Sequence, residues 1–368
     1  MSIKFSDYKG KYKIVSLALD ETVKEDLQEK ELPLVYAKSG YIRLFPENIV
    51  LSDLPSHFAE ISAYNDYDVF EIWENGTMHR KYNDKSNDNY FYITGKCNSN
   101  CLMCPSPDAA RKNAPDANIS DLIDLARHIP LDTPHLTITG GEPFMVGEKI
   151  FPFISFLKEK FVHTEFLFLT NGRIFAVEKY WRKFKECAPS DSIVAIPVHG
   201  SCPEIHDQIT RADNSFRQTV QGVKALLKSG IRVELRLVVN KLNINDFTNI
   251  ARFILRELKG IDYVSIIAME MTGNARVNQN QVWIPYREAF ASIKAAVRMM
   301  VENGMDVKLY NFPLCTVERS FWTLCERSIS PNKVRFAEVC HSCKHREDCG
   351  GVFAGTMQFE RDELEAIR

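Results

Sequence analysis

From residue 90 to residue 304, short apolar runs alternate with longer segments whose apolar residues recur at helical spacing. The apolar runs are YFYIT, HLTITG, EFLFLTN, IVAIPVHG, VELRLVV and YVSIIAM. The helical segments are ISDLIDLARHI, IFPFISFLKEKF, FAVEKYWRKFKE, FRQTVQGVKALLKSG, NDFTNIARFILREL and YREAFASIKAAVRMMVENG. This alternation predicts an α/β fold of six parallel strands joined by crossover helices, arranged as an open sheet or a partial barrel.

Different patterns flank this α/β region and predict three parts. Residues 1–88 form a small β-rich region, in which LVYAKSGYIRLF and DVFEIWENGTMHRKY each predict two strands around a turn. Residues 89–305 form the α/β region itself. Residues 306–368 form a cysteine-rich segment, here named the C-terminal extension.

Composition narrows the class of protein. The chain has 368 residues, 45% hydrophobic and 26% charged, which is ordinary for a soluble globular protein with a large core. Its net charge of -2 gives no reason to expect nucleic-acid binding. No segment approaches the ~20 apolar residues of a membrane span, and the start, MSIKFSDYKGKYKIV, lacks the apolar run of a signal peptide. We therefore expect a cytoplasmic protein without nucleic-acid or membrane partners.

The ten cysteines are not expected to form disulfides in a reducing compartment, where clustered thiols indicate metal binding or catalysis. Only Cys187 and Cys202 stand apart from two groups. The groups are Cys97, Cys101 and Cys104, and then Cys315, Cys325, Cys340, Cys343 and Cys349.

The first group places three thiols within eight residues, just after the first predicted strand. A structural zinc site normally closes with four ligands, and neither Asp108 nor His128 completes a familiar zinc spacing. Thiolates also bind iron–sulfur clusters, and a cubane has four irons. Three thiolates leave one iron open, which implies a further ligand that is itself a reactant.

Polar residues and glycines gather where the predicted strands end, and α/β enzymes build their sites at that end. They are Gly140, Gly141, Glu142, Thr170, Asn171, His199, Arg236, Asn240 and Glu270. Arg236 lies on a strand that should be apolar throughout if both of its faces are covered, so we expect it to have a partner.

The C-x3-C-x2-C spacing, placed after the first strand of a βα series, resembles the motif of the radical S-adenosylmethionine (SAM) enzymes. The resemblance covers about residues 90–300 and implies a partial (β/α)6 TIM-like barrel. It also implies that the three cysteines bind a 4Fe-4S cluster whose fourth iron chelates SAM. In that family the reduced cluster gives one electron to SAM, which breaks into methionine and a 5′-deoxyadenosyl radical that abstracts a hydrogen atom from the substrate.

The same resemblance implies a set of SAM contacts. GGEP at 140–143 is similar to the family's Gly-Gly-Glu motif, which contacts the amino group of SAM, and LTNG at 169–172 is similar to the segment near its ribose. The carboxylate of SAM is one expected partner of Arg236. An ion pair with Glu234 would explain an arginine at this position equally well. Small inward residues on the fourth strand leave room for the nucleoside, with His199 at its edge.

Each of these assignments has a structural alternative that the sequence leaves open. Glu142 is also explained as a first-turn helix residue favoured by the helix dipole. Thr170 and Asn171 are also explained as turn formers, and His199 as an ordinary loop residue.

The five cysteines of the C-terminal extension have the spacing C-x9-C-x14-C-x2-C-x5-C. Its end, followed by Gly-Gly, resembles the SPASM and twitch extensions of radical SAM enzymes, which bind auxiliary iron–sulfur clusters. The predicted ligands of an auxiliary cluster are Cys315, Cys340, Cys343 and Cys349. Cys325 is the spare, or else it replaces Cys315 or Cys340. The alternative is a structural zinc site with four cysteines, or with three cysteines and either His341 or His345.

SPASM and twitch enzymes mostly modify ribosomally made peptides, so we expect a peptide maturase. CNSNCLMCPSP, GGEPF, SIS at 328–330 and CGGVFA resemble the HxsC family of radical SAM maturases in His-Xaa-Ser repeat peptide systems. That resemblance implies a His-Xaa-Ser repeat peptide as substrate, HxsB-like and HxsD-like partner proteins, and an electron donor such as flavodoxin or ferredoxin. PNKVRF after SIS, and Cys325, depart from the pattern.

Other functions remain compatible with the residues. One is a radical SAM enzyme that acts on a small molecule or activates a glycyl-radical enzyme, and the cysteines of the C-terminal extension argue mildly against it. Another is a zinc-stabilised binding protein without catalysis. The N-terminal β region either takes up an extended peptide along a strand edge or covers the incomplete barrel.

Overall fold

The structure is a computed structural model that describes residues 3–5, 8 and 12–368. The positions 1, 2, 6, 7 and 9–11, part of the segment used to exclude a signal peptide, lie outside the described residues. The strands are β1 (Ile3–Lys4), β2 (Ile14–Ala18), β3 (Leu34–Lys38), β4 (Tyr41–Phe45), β5 (Ile49–Ser52), β6 (Val69–Ile72), β7 (Thr77–Tyr82), β8 (Tyr90–Tyr92), β9 (His135–Thr139), β10 (Glu165–Leu169), β11 (Ser192–Pro197), β12 (Arg232–Val238), β13 (Tyr263–Ile267), β14 (Val307–Tyr310), β15 (Cys325–Glu326), β16 (Val334–Arg335) and β17 (Val352–Phe353).

The α-helices are α1 (Glu21–Glu29), α2 (Pro55–Ile61), α3 (Asp108–Asn113), α4 (Ile119–His128), α5 (Ile150–Lys160), α6 (Glu178–Cys187), α7 (Pro203–Thr210), α8 (Ser215–Lys228), α9 (Phe247–Glu257), α10 (Gly273–Val277), α11 (Gln279–Val282), α12 (Tyr286–Glu302) and α13 (Met357–Glu360). Short 3-10 helices cover Pro143–Lys149, Arg173–Ala176, Ile244–Asp246, Leu314–Thr316, Arg319–Leu324, Glu338–Ser342 and Arg361–Glu363.

Eight parallel strands form the main sheet, in the order β8-β9-β10-β11-β12-β13-β14-β15. The first six are the strands that the alternation predicts, and α4, α5, α6, α8, α9 and α12 coincide closely with the six predicted helices. The predicted α/β partial barrel is therefore confirmed. Because all of these strands pair in parallel, their C-terminal ends lie along one edge of the sheet.

The main sheet continues beyond the six predicted strands. β14 pairs in parallel with β13, and β15 pairs with β14, where Leu309 lies opposite Cys325. The sequence-based boundaries place both strands in the C-terminal extension, because strands of four and two residues are too short to produce a recognisable period. The extension is thus joined to the barrel sheet by backbone pairing.

The two faces of the main sheet differ in chemistry. On one face, Phe91 of β8 packs edge-on against Phe153 of α5, with ring centroids 5.0 Å apart. Alternation puts Glu234 and Arg236 of β12 on the opposite face. A face covered by helices would be apolar, so the face with these charged residues is the one available to a ligand.

The described residues before position 89 form a separate mixed sheet, in the order β1-β7-β6-β2-β3-β4-β5. Both predicted hairpins are present, as β3–β4 and β6–β7. This sheet packs on the barrel, where the buried hydroxyl of Ser16 lies 2.8 Å from Nδ1 of His128 on α4. The contact supports the packing role among the two roles that the sequence leaves open. It also gives a hydrogen-bond partner to His128, one of the two residues considered above as a fourth zinc ligand.

The C-terminal extension also packs against the loop that follows β13. The N–H of Met271 donates to the hydroxyl of Thr356 at 3.0 Å. The N–H of Tyr286, at the start of α12, lies 3.2 Å from each carboxylate oxygen of Glu360. Burial raises the pKa of Glu360 to about 8.

In the described part of the chain, no helix has both the length and the apolar content needed to cross a membrane.

Candidate active site

The three cysteines of the first group lie on the connection between β8 and α3, here named the cysteine loop (residues 93–107). All three are half-buried. Burial, together with the nearby thiols of Cys104 and Cys97, raises the pKa of Cys101 to about 12. Burial also raises the pKa of Cys97. The structure therefore brings the three predicted ligands together on one loop, where burial disfavours the free thiolate of Cys97 and of Cys101.

Two guanidinium groups contact the NSN segment (residues 98–100), which lies between the first two cysteines. Arg173 donates to the first carbonyl of this segment at 2.6 Å. Arg111 donates to the second carbonyl at 3.1 Å and to the side chain of Asn100 at 2.6 Å. Neither arginine is predicted from the sequence, where the only signal for them is proximity to the motifs.

Short helices hold the other side of the cysteine loop. Asn274 on α10 donates its backbone N–H to the carbonyl of Cys104 at 2.9 Å and its side-chain amide to the carbonyl of Cys101 at 3.1 Å. Asn278 donates to the carbonyl of Leu102 at 3.0 Å. Hydrogen bonds to its backbone on both sides fix the shape of the loop, and hence the directions of its thiols.

The GGEP segment (residues 140–143) is bonded directly to the cysteine loop. The N–H of Gly141 donates to the carbonyl of Thr94 at 2.7 Å, and the N–H of Glu142 donates to the carbonyl of Lys96 at 2.8 Å. A Cβ atom added to Gly140 or to Gly141 would lie 2.4 Å from a carbonyl oxygen of the cysteine loop. Only glycine permits this approach, so the two glycines of the motif have a structural reason.

The carboxylate of Glu142 is buried and joins the ends of β9 and β10. It accepts hydrogen bonds from the hydroxyl of Thr170 at 2.8 and 3.0 Å, from the N–H of Asn171 at 2.7 Å and from the N–H of Phe144 at 3.1 Å. Burial raises the pKa of Glu142, and these bonds oppose the rise. Both oxygens are occupied, so the carboxylate positions the GGEP segment. The predicted contact of this segment with the amino group of SAM stays a prediction.

Asn171 connects the end of β10 to the cysteine loop. Its side-chain amide donates to the side chain of Asn98 at 2.6 Å, and its carbonyl accepts from the hydroxyl of Thr219 at 3.0 Å. Thr170 and Asn171 therefore hold the two motifs of the site together, and their predicted proximity to the ribose of SAM stays a prediction.

His199 follows β11 and is buried, with a free ring nitrogen. Its Nδ1 has no hydrogen-bond partner among the described residues. The ring of His199 stacks on that of His206, with 5.6 Å between the ring centroids. The backbone N–H of His199 donates to Nδ1 of His206 at 3.1 Å. Burial lowers the pKa of His199 to about 3, so the ring is neutral. An unpartnered buried nitrogen at the carboxyl edge of the sheet fits a bound ligand.

Arg236 has the ion-pair partner that the sequence offered as one of two explanations. Its Nε lies 2.8 Å from the carboxylate of Glu234, which is fully buried and also accepts from the hydroxyl of Tyr263 at 3.1 Å. This accounts for a charged residue in the middle of β12. A contact between Arg236 and the carboxylate of SAM stays a prediction.

The other strand-end residues have local roles. The side chain of Asn240 donates to the carbonyl of Val238 and accepts from the N–H of Leu242, both at 3.0 Å, so it shapes a turn. Burial raises the pKa of Glu270, and the charge of Lys333 in the C-terminal extension opposes the rise. Glu270 therefore lies where the barrel edge meets the extension.

Four cysteines of the C-terminal extension line one pocket, and they are the four predicted ligands: Cys315, Cys340, Cys343 and Cys349. The Sγ atom of Cys349 accepts backbone N–H groups from Leu314 at 3.5 Å and from Gly351 at 3.4 Å. Arg335 and Arg346 also line the pocket. Backbone donors and positive charges suit the thiolates of an iron–sulfur cluster.

The alternative ligands lie outside the lining of this pocket. Cys325 is on β15, and burial raises the pKa of its thiol to about 12. His345 packs edge-on against Trp322, 4.9 Å between ring centroids. Among the described residues, no group of three or more His, Cys, Asp or Glu side chains is arranged to bind a single metal ion. A 4Fe-4S cluster takes one thiolate per iron, so its ligands stand farther apart than those of one ion.

Comparison with known proteins gives one family and several distant relatives. The model of the Radical SAM superfamily matches residues 91–254. A probable GTP 3',8-cyclase from Aeropyrum pernix is 25% identical over 195 residues, which cover 50% of this chain and 51% of the cyclase. The chain thus spans about half the length of this curated relative.

Solved structures resemble the chain at low identity. SuiB from Streptococcus suis, in a crystal structure with its precursor peptide SuiA, is 12% identical, with 60% of this chain and 48% of SuiB covered and a TM-score of 0.48. The protein anSMEcpe, bound to AdoMet and the Cp18Cys peptide, is 15% identical, with 60% of this chain and 62% of anSMEcpe covered and a TM-score of 0.47.

The family match runs from β8 into α9 and contains both the cysteine loop and the GGEP segment. Residues 91–254 therefore form a domain of the radical SAM superfamily.

Proposed function

We propose that this chain is a radical SAM enzyme that modifies a ribosomally made peptide. The observation that carries the proposal is the cysteine loop, whose three thiols are held together and whose backbone is bonded to the GGEP segment. Cys97, Cys101 and Cys104 would bind a 4Fe-4S cluster, and the open iron would bind SAM. When bound and reduced, the cluster supplies the electron that cleaves SAM to the 5′-deoxyadenosyl radical, which takes a hydrogen atom from the peptide.

The residues around the cysteine loop have positioning roles in this proposal. Glu142, with Thr170 and Asn171, keeps the GGEP segment against the loop, where its backbone would face the amino group of SAM. His199 would offer the nucleoside a neutral ring nitrogen that has no hydrogen-bond partner among the described residues. Arg236, already paired with Glu234, would offer its remaining N–H donors to the carboxylate of SAM.

The pocket of the C-terminal extension supports the peptide as substrate class, because auxiliary clusters are typical of the peptide-modifying SPASM and twitch enzymes that the spacing resembles. Within this proposal, the pocket binds a second 4Fe-4S cluster, and residues 1–88, 89–305 and 306–368 form three structural parts. The substrate is a His-Xaa-Ser repeat peptide, with HxsB-like and HxsD-like partners and flavodoxin or ferredoxin as electron donor. Ten free cysteines suit a reducing, cytoplasmic setting.

A second candidate is a radical SAM enzyme that acts on a small molecule. The 25% identity to a probable GTP 3',8-cyclase over half of the chain favours it. The two candidates differ in the molecule that is converted besides SAM. Incubation of the reduced enzyme and SAM with a His-Xaa-Ser repeat peptide in one reaction, and with GTP in another, separates them by liquid chromatography with tandem mass spectrometry. Retention and fragmentation identify a product even where a cyclisation leaves the mass of GTP unchanged.

Anaerobic purification, followed by iron analysis and an assay of SAM cleavage with dithionite, tests the proposal. We expect a brown protein that cleaves SAM, with Cys97→Ala inactive and Cys187→Ala active. Cys187 is a suitable control because it is buried at the end of α6. A colourless protein, or equal cleavage by both variants, would show that the cysteine loop does not bind the proposed cluster.

A further inference from the structure

Arg111 is an almost fully buried arginine beside the cysteine loop. It lies on α3 and is 5% exposed, although arginine is rarely buried without a partner. Its terminal nitrogens donate to two neutral oxygens, the carbonyl of Ser99 and the side chain of Asn100. Its Nε is buried and has no hydrogen-bond partner among the described residues.

The carboxylate nearest to Arg111 does not neutralise it fully. Asp108 lies 3.3 Å from its guanidinium but also pairs with Lys112 at 2.7 Å, and its side chain is 37% exposed. The three side chains together carry one net positive charge. A buried, incompletely paired cation is costly unless negative charge lies close to it.

The cysteine loop supplies that negative charge when it carries a cluster. Arg111 contacts the carbonyl that lies two residues after Cys97 and two residues before Cys101. Its hydrogen bonds to this carbonyl and to the side chain of Asn100 hold the guanidinium against the segment that joins two of the three proposed ligands.

We infer that Arg111 is a positioning residue whose buried positive charge stabilises the reduced form of the cluster on the cysteine loop. The inference rests on the proposed function. Reduction adds one negative charge to a cluster already ligated by thiolates. A fixed positive charge in a poorly solvated site attracts the reduced form more strongly than the oxidised form, and so raises the reduction potential.

The test measures the reduction potential of this cluster in the full-length protein with its clusters reconstituted. The proteins are wild type, Arg111→Gln, Arg111→Lys and Arg276→Gln, the last being an exposed arginine on α10. Redox titration followed by electron paramagnetic resonance gives the potentials. The signal that changes on addition of SAM identifies the cluster with the open iron and separates it from any auxiliary cluster.

We expect Arg111→Gln to lower the equilibrium constant for reduction about tenfold, which is a shift of ~59 mV for one electron. Arg111→Lys, which keeps the charge, and Arg276→Gln should stay near the wild-type value. If Arg111→Gln fails to retain the cluster, retention at wild-type potential in Arg111→Lys supports the same conclusion.

Two results overturn the inference while leaving the proposed function intact: a wild-type potential in Arg111→Gln, or a shift or loss of the cluster in Arg111→Lys as large as that in Arg111→Gln. The second result would assign Arg111 to hydrogen bonding of the NSN segment alone. A wild-type protein without a SAM-responsive cluster rejects the proposed function and the inference together.

Discussion

The hydroxyl of Thr170 bridges both carboxylate oxygens of Glu142, at 2.8 and 3.0 Å. The two residues are 28 positions apart and lie at the ends of neighbouring parallel strands. Through this bond the segment after β10 supports the GGEP segment, which in turn contacts the backbone of the cysteine loop. Residues predicted as SAM contacts therefore also determine where the cysteine loop lies.

Replacing Thr170 by valine should cost more stability than the same change elsewhere in the sheet. Thr170→Val removes a donor to a buried carboxylate and should cost about 1.5–3 kcal/mol of unfolding free energy. Thr164→Val is the matched control, because its buried hydroxyl donates to a neutral carbonyl, that of Thr133, at 2.6 Å, and such a bond contributes about 0.5–1.5 kcal/mol. Urea unfolding measures both values. Equal costs would mean that Glu142 does not depend on this hydroxyl.

Removing one thiol from the pocket of the C-terminal extension should remove only the auxiliary cluster. Cys349→Ala deletes a thiol that lines the pocket and accepts two backbone N–H groups, so we expect the loss of about half of the iron, since each cubane holds four. Cys325→Ala, on β15 and outside the lining, should keep all of it. Iron analysis after anaerobic reconstitution checks both variants, and loss in Cys325→Ala would reassign the ligands.

Breaking the ion pair of β12 should be strongly destabilising. Arg236→Met leaves the fully buried Glu234 without its cation and should cost about 3 kcal/mol, because a buried charge that loses its partner is expensive. Arg232→Met on the same strand removes ion pairs that are exposed to solvent, with Asp191 and Asp262, and should cost about 1 kcal/mol or less. Urea unfolding compares the two. Similar costs would show that the fold does not depend on the pairing of Glu234 with Arg236.

Glu360 should make the stability of the protein depend on pH. Burial raises its pKa from 4.5 to about 8, so the folded protein binds a proton that the unfolded chain has lost between these values. The contribution of Glu360 to the free energy of unfolding is fully present below about pH 4.5. It falls by up to about 1.4 kcal/mol per pH unit as the pH rises towards 8.

Glu360→Gln removes this proton but keeps an acceptor for the N–H of Tyr286. We therefore expect a shallower fall of stability with rising pH in the variant than in the wild type over the same range. Urea unfolding at several pH values measures the two slopes, and identical slopes would show that Glu360 is ionised in the folded protein.

Much of the candidate site was predictable because its motifs are local. The spacing of Cys97, Cys101 and Cys104 and the composition of the GGEP segment are visible within a few residues. Their position at one edge of the sheet followed from the direction of parallel strands. Arg111 and Arg173 were missed because an arginine after a motif looks the same whether it points to solvent or to the loop.

The sequence by itself determined the α/β partial barrel, since the alternation of strand and helix periods is a local property of the chain. It also determined the two groups of clustered cysteines. Only the tertiary structure decided that β14 and β15 extend the sheet, that Arg236 pairs with Glu234, and that four of the five C-terminal cysteines face one pocket. These outcomes depend on which distant segments pack together and which groups lose water there, and no local pattern of residues records that.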